Sequence, residues 1–304
     1  MLVSYIKLAL APILWGGALV AGRVVSADLP PVTITWIRFL LVSVFLLPVL
    51  RLTEGRLPRP GWRDWGLLLI LSATGVVLFN LFLFAGLKTV TAVRSSVLIA
   101  LAPSVVAVTL ITVFREPARG NALVGILVAF VGALVTITNG NPGAALAGGI
   151  SVGDGYLLAC VLAWTVYTIL ARPAMRNLSA LAVLTYASIM GTILLSPFAM
   201  HRDMAATLAG YSLTTWIGLF YLSFVAAGLA YLWYYVGIRD LGPDKAAVFL
   251  NLEPVSAIVL GVVLLGEPLT WPVLVGAVLV IAGVYLVNRP TPAKLKAYRK
   301  PSQP

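Results

Sequence analysis

The chain has 304 residues, of which 61% are hydrophobic and 10% charged, and its mean hydropathy is +1.02. A soluble globular chain carries about 25% charged residues, so this composition excludes an ordinary water-facing surface. The formal charge of +11 does not point to nucleic acid. The basic residues flank apolar runs, as membrane orientation requires, and no Arg-rich helix or nucleic-acid signature accompanies them.

An apolar layer of roughly 30 Å needs about 20 helical residues at 1.5 Å each. Ten runs of about that length follow one another: 5–25, 31–50, 65–87, 92–113, 121–138, 152–171, 179–199, 212–237, 244–265 and 271–288. Residues 8–20, followed by Val25-Ser26-Ala27, also fit a cleavable signal peptide. A retained first helix is preferred because the segment has a counterpart later in the chain. The second run holds Arg38, the one basic residue within a span core. The third and eighth runs end in aromatic stretches, and the fourth and ninth contain Pro103 and Pro254. The sixth holds Cys160, which reads as a small buried hydrophobe, and one cysteine allows no internal disulfide. His201 is the single histidine, which excludes a His cluster. Punctuated connections separate the runs: Glu54-Gly55-Arg56-Leu57-Pro58-Arg59-Pro60, Arg115-Glu116-Pro117, Asn139-Gly140-Asn141-Pro142-Gly143 and Leu241-Gly242-Pro243. The tail, 290–304, is basic and Pro-rich and reads as disordered.

Lys and Arg in the connections set the orientation. With a cytoplasmic N-terminus, the inner side holds Lys7, Arg51, Arg56, Arg59, Arg63, Arg115, Arg119, Arg172, Arg176, Arg239, Lys245 and the five basic residues of 289–300. The outer side holds only Arg23, Lys88, Arg94 and Arg202. Both termini are therefore expected inside, which also requires an even number of spans. The glycosylation sequon Asn177-Leu178-Ser179 falls on the expected inner side and reads as chance.

The chain repeats itself. Leu81-Phe82-Leu83-Phe84-Ala85-Gly86-Leu87-Lys88 matches Leu232-Trp233-Tyr234-Tyr235-Val236-Gly237-Ile238-Arg239 at an offset of 151 residues. The same offset carries Arg94 onto Lys245, Pro103 onto Pro254, Glu116-Pro117 onto Glu267-Pro268, Gly125 onto Gly276 and Gly132 onto Gly283. At a slightly smaller offset, Trp15 and Arg23 map onto Trp164 and Arg172. Each half holds five spans, so the second half is inverted relative to the first, the architecture of secondary transporters. The expected fold is thus an all-α integral membrane protein of ten transmembrane helices. It comprises two inverted five-helix repeats, 1–140 and 150–289, with N-in/C-in topology. A duplication kept in a non-transporting protein is the plainer alternative.

The residues also carry a resemblance. Trp15-Gly16-Gly17, Leu252-Glu253-Pro254-Val255, and Leu265-Gly266-Glu267-Pro268-Leu269-Thr270 followed by Gly276 and Ile281-Ala282-Gly283 occur in order over nearly the whole chain. In these the chain resembles the drug/metabolite transporter superfamily, and within it the EamA-like ten-helix exporters, with the nearest likeness to YddG-type exporters of aromatic and other amino acids. The resemblance implies a multi-pass carrier of the bacterial inner membrane, with a cavity lined by helices 1, 3, 4, 6, 8 and 9. Helices 2 and 7 would lie near the gates. The halves are chemically unequal, since Ala102 stands where Glu253 stands in the second.

The candidate substrate cavity comprises Trp15, Arg38, Asn80, Ser96, Trp164, Tyr167, Tyr231, Tyr234, Asn251 and Glu253, with Pro103 and Pro254 as hinge or kink positions. A mid-span charge such as Glu253 must face the bundle interior. It is read either as a site for a substrate amine or proton, or as a hydrogen bond to carbonyls freed by the Pro254 kink, with the second preferred. Arg38 is open between meeting a substrate carboxylate, snorkelling and pairing with an acid. Together the two could clamp a zwitterion, pair with each other, or do neither. Trp15 and Trp164 lie too deep for an interfacial belt, whereas Trp233 and Tyr235 fit one. Gly125, Gly132, Gly276 and Gly283 read as scaffold packing.

The expected function is a secondary transporter exporting aromatic or neutral amino acids and related metabolites by alternating access. The alternative is a multidrug or nucleotide-sugar-like carrier of the same fold. An intramembrane enzyme is disfavoured: there is no His-Glu-x-x-His or Gly-x-Ser-x-Gly, and Asp154 near a span end has no evident Asp partner. No catalytic residue, metal or cofactor is expected. The expected partners are a small-molecule substrate and the lipid bilayer, with the chain acting as a monomer.

Overall fold

The computed structural model describes residues 2–118, 120–141, 143, 151–200, 210–242, 246 and 248–288. The tail, His201, and the basic residues Arg119, Arg202 and Lys245 lie outside the described residues, as does the Tyr235 side chain.

Among the described residues the chain is all-helical, with no strand. Nine helices among the described residues are long and apolar enough to cross a membrane: Leu2–Asp28, Pro31–Glu54, Trp62–Leu87, Ala92–Thr112, Gly120–Ile137, Val152–Ala174, Ala180–Ala199, Leu213–Leu241 and Trp271–Asn288. The shorter apolar helix Leu252–Leu265 lies in the ninth run, so each of the ten expected segments contains helix. They are called the first to tenth spans in chain order. Several exceed the hydropathic runs by a turn or more, because hydropathy marks the apolar centre and not the polar turns that continue beyond it. Gly55 in the left-handed region (φ 71°) ends the second span just after Glu54, the usual role of a glycine past a helix C-terminus.

Two departures from regular helix recur at matching places in the halves. The third span widens into a π-helical stretch at Ser72–Leu78 and the eighth at Tyr221–Leu229. The fourth span breaks after Ile99 and restarts at Ala102, and the ninth restarts at Leu252 after a turn at 250–251. A proline sits in the first turn of each restarted piece, Pro103 second and Pro254 third. There its missing N–H costs nothing, whereas inside a continuous helix it would clash with the preceding turn. The expected kinks are therefore true interruptions.

The packing repeats in the same way. The first span packs on the eighth and ninth, and the sixth on the third and fourth. The second pairs with the seventh, and the fifth with the tenth. This is the two-repeat fold, because shifting every span by five returns the same set of pairs. The fifth–tenth contact is close enough to need glycine. A Cβ added to Gly132 would lie 2.6 Å from the Gly276 carbonyl oxygen, and one on Gly125 2.6 Å from that of Gly283. The four glycines are thus spent on a contact within the chain.

One end of the bundle is tied by charge. Arg94 donates to both Asp154 carboxylate oxygens, at 2.9 and 2.6 Å, and to the Ile137 carbonyl at 2.8 Å. Asp154 also closes a capping box with Ser151 at the start of the sixth span. Glu267 accepts the Ala92 and Val93 backbone N–H groups, each at 2.8 Å, which caps the fourth span from the ninth–tenth connection. Arg23 lies 4.0 Å from Glu267 and donates to the Leu87 carbonyl. Asp154, expected to have no intramembrane Asp partner, is instead the buried half of an ion pair with Arg94.

Candidate functional site

Arg38 does not snorkel. Its Nη1 donates to Asn80 Oδ1 at 2.8 Å, and Asn80 is only 2% exposed, so the guanidinium points into the bundle. No acid pairs with it among the described residues, and its Nε is buried without an acceptor. Asn80 is itself held. Its amide nitrogen donates to the Val76 carbonyl at 2.8 Å and the Gly75 carbonyl at 3.3 Å, both in the π-helical stretch of the third span. Only the NH₂ group can satisfy those carbonyls, which leaves Oδ1 facing Arg38. The local departure from α-helix therefore fixes the orientation of the Asn80–Arg38 pair.

The second π-helical stretch is satisfied from the first span. Trp15 Nε1 donates to the Ala226 carbonyl at 2.9 Å, and the Tyr221 hydroxyl donates to the Leu14 carbonyl at 2.9 Å. The Trp15 ring meets Tyr231 and Tyr234 edge-on, at 5.0 and 5.2 Å between centroids. Gly16 and Gly17 allow this approach, lying against the Glu253 backbone and the Tyr221 hydroxyl respectively. The repeat-related Trp164 stacks on Tyr167 at 5.0 Å and tilts against Phe79 at 5.0 Å, while the Tyr167 ring rests on Gly75. Each indole thus packs on the π-containing span of the opposite half.

Glu253 is the second residue of the restarted ninth span. The expected hydrogen bond from this side chain to freed carbonyls is not made among the described residues. Among the described residues its carboxyl group has no hydrogen bond or ion pair; its backbone carbonyl accepts from Ser256 Oγ at 2.9 Å. The reason is the interruption, since a helix's first turn presents N–H groups rather than carbonyls. Tyr231 lies within electrostatic reach of both Arg38 and Glu253, and of Tyr167; Tyr234 lies within reach of Glu253.

Seven of the candidates therefore converge: Trp15, Arg38, Asn80, Tyr167, Tyr231, Tyr234 and Glu253, with Trp164 joined through Tyr167. All but Asn80 are half-buried despite their mid-span positions. Ser96 and Asn251 do not join them. Ser96 Oγ donates to the Val93 carbonyl at 2.7 Å and the Asn251 amide to the Val248 carbonyl at 3.1 Å, each within its own span. Sequence reasoning did not single out Phe79, Tyr221 or the π-helical stretches around which the site is built. It also missed the Arg94–Asp154 pair, although Ser151-Val152-Gly153-Asp154 carries a capping-box signal. Among the described residues no group of His, Cys, Asp and Glu is placed to hold a metal. The arrangement offers aromatic faces, one cation and one carboxyl group, the equipment for binding a small solute.

Comparison with known proteins agrees with the geometry. The model of the EamA-like transporter family matches the chain twice, over residues 2–138 and 151–289. The uncharacterized transporter YetK of Bacillus subtilis is 29% identical over 293 residues, covering 93% of this chain and 86% of the relative. A probable terminal-alkyne amino-acid exporter of Streptantibioticus cattleyicolor is 32% identical over 242 residues, covering 77% of this chain and 76% of the relative. A solved crystal structure superposes with a TM-score of 0.62 at 18% identity, covering 97% of this chain and 99% of that chain, a likeness of fold.

Proposed function

Because the chain belongs to the EamA-like transporter family, we propose that it is a secondary transporter exporting amino acids, aromatic or neutral, and related metabolites by alternating access. The observation that carries this reading is the membrane-centred cluster in which Arg38 and Glu253, without an ion pair among the described residues, stand among aromatic faces where the two halves meet. Both ends of the chain would be cytoplasmic, in the plasma membrane of a bacterium. Two inverted halves give the physical basis of alternation: each half can take the arrangement of the other, which opens the same centre to the opposite side.

The substrate class follows from which charges are left over. A carrier of cationic drugs calls for several unspent acids within the membrane. The buried acids among the described residues are committed elsewhere: Asp64 to Gly61 and Asn177, Asp154 to Arg94, Glu267 to the start of the fourth span. A nucleotide sugar calls for several cations against its phosphates, and Arg38 stands alone in the cluster. One cation and one carboxyl group with aromatic walls suit an amino acid, and one relative is named as an amino-acid exporter. The test is efflux from liposomes holding the purified full chain and loaded with labelled phenylalanine, leucine or glutamine, with and without a pH gradient. Loss of label faster than from protein-free liposomes is expected; equal loss for every amino acid would end the reading.

A further inference from the structure

We infer that Arg38 and Glu253 are the two ends of a zwitterion site, Arg38 receiving the carboxylate and Glu253 the ammonium of an α-amino acid, with Asn80 as the residue that positions Arg38. The inference rests on the proposed transport of amino acids and assigns the atoms that would recognise them.

Three observations carry it. The first is an unmet donor. Arg38 uses Nη1 on Asn80, while Nε is buried with no acceptor. Buried polar groups are normally satisfied, and a guanidinium presents its donors as a planar fork that matches a carboxylate. The Nε edge is the edge left for such a group. The second is the carboxyl group of Glu253, which makes no hydrogen bond or ion pair among the described residues. The two charges do not satisfy each other, yet both lie within electrostatic reach of the Tyr231 hydroxyl. The third is preorganisation. The π-helical carbonyls of Gly75 and Val76 hold the Asn80 amide, which in turn holds Arg38. Trp15, Tyr234, Trp164 and Tyr167 supply walls for the substrate's side chain. An α-amino acid carries one carboxylate and one ammonium on a single carbon, one group for each of the two unspent side chains.

The test is displacement of labelled phenylalanine from the purified full chain by three probes: phenylalanine, its methyl ester, which keeps only the ammonium, and N-acetylphenylalanine, which keeps only the carboxylate. Arg38→Gln should weaken phenylalanine and the N-acetyl compound by about tenfold or more and leave the ester unchanged. Glu253→Gln should weaken phenylalanine and the ester and leave the N-acetyl compound unchanged. Asn80→Ala should follow the pattern of Arg38→Gln to a smaller extent, a selectivity that a general loss of packing would not produce. Removing a charge from the membrane interior relieves rather than adds strain on the fold, and thermal melting of each variant in detergent checks that it is folded. Equal weakening of all three probes, or none, in folded variants overturns the zwitterion site while leaving amino-acid transport intact. Absence of phenylalanine, leucine and glutamine flux in the wild type overturns both.

Discussion

A charged side chain at the centre of a membrane span costs roughly 2.5–3.5 kcal/mol on an insertion scale. Arg94, at a span end, offsets its charge with a bidentate partner in Asp154, whereas mid-span Arg38 has only the neutral Asn80 among the described residues. The two arginines should therefore respond differently to neutralisation. Arg94→Gln leaves Asp154 buried and unpaired and is expected to cost about 3–5 kcal/mol. Arg38→Gln is expected to be neutral or stabilising in thermal unfolding in detergent; a loss as large as that of Arg94→Gln would mean that Arg38 serves the fold. Trp15→Phe keeps a ring against Tyr231 and Tyr234 but strands the Ala226 carbonyl. It should cost about 1–3 kcal/mol, read from the same melts. At this scale Arg38, Glu253, Trp15 and Trp164 were legible in the sequence because size or charge in mid-span is conspicuous. Arg94, Asp154 and Glu267 were not. They sit at span ends, where a charge looks like a loop residue, and their partners lie 60 residues away for Asp154 and 175 for Glu267.

The interrupted and widened helices belong to the next scale. Pro103 and Pro254 each occupy the first turn of a restarted helix, where an alanine N–H would find no partner to gain. Pro103→Ala is thus expected to change stability by less than about 1 kcal/mol, unlike removal of a packing element. Gly132 is such an element. Gly132→Leu forces side-chain atoms into the Gly276 backbone and should cost about 3 kcal/mol or more by separating the fifth and tenth spans, whereas Gly66→Ala, with open space around it, should be nearly silent. Melting of the two variants side by side checks the contrast. The spans themselves were readable from hydropathy, and the prolines marked where two would break. The π-helical stretches left no such mark, because one extra residue per turn in Ser72–Leu78 or Tyr221–Leu229 changes neither composition nor period enough to see.

For the whole molecule, the internal repeat was legible because six matched features share one offset, and the packing obeys it: the first span with the eighth and ninth, the sixth with the third and fourth. What the repeat did not disclose is that each half's Trp packs on the other half's π-containing span, a contact made only in three dimensions. The asymmetry of Lys and Arg would place both termini in the cytoplasm. A reporter that is active only in the cytoplasm, fused after Pro304, should therefore be active, and one inserted near Gly143 silent; the reverse pattern would invert the topology.

The proposed activity is carriage of amino acids by exposing one binding centre alternately to each side of the membrane. Counterflow in liposomes that contain only the full chain tests it most directly. With a high concentration of unlabelled phenylalanine trapped inside, a trace of labelled phenylalanine outside should accumulate transiently above its external level, as an alternating carrier requires. Label that merely equilibrates, or that fails to enter while other solutes do, would rule out alternating carriage of amino acids by this chain.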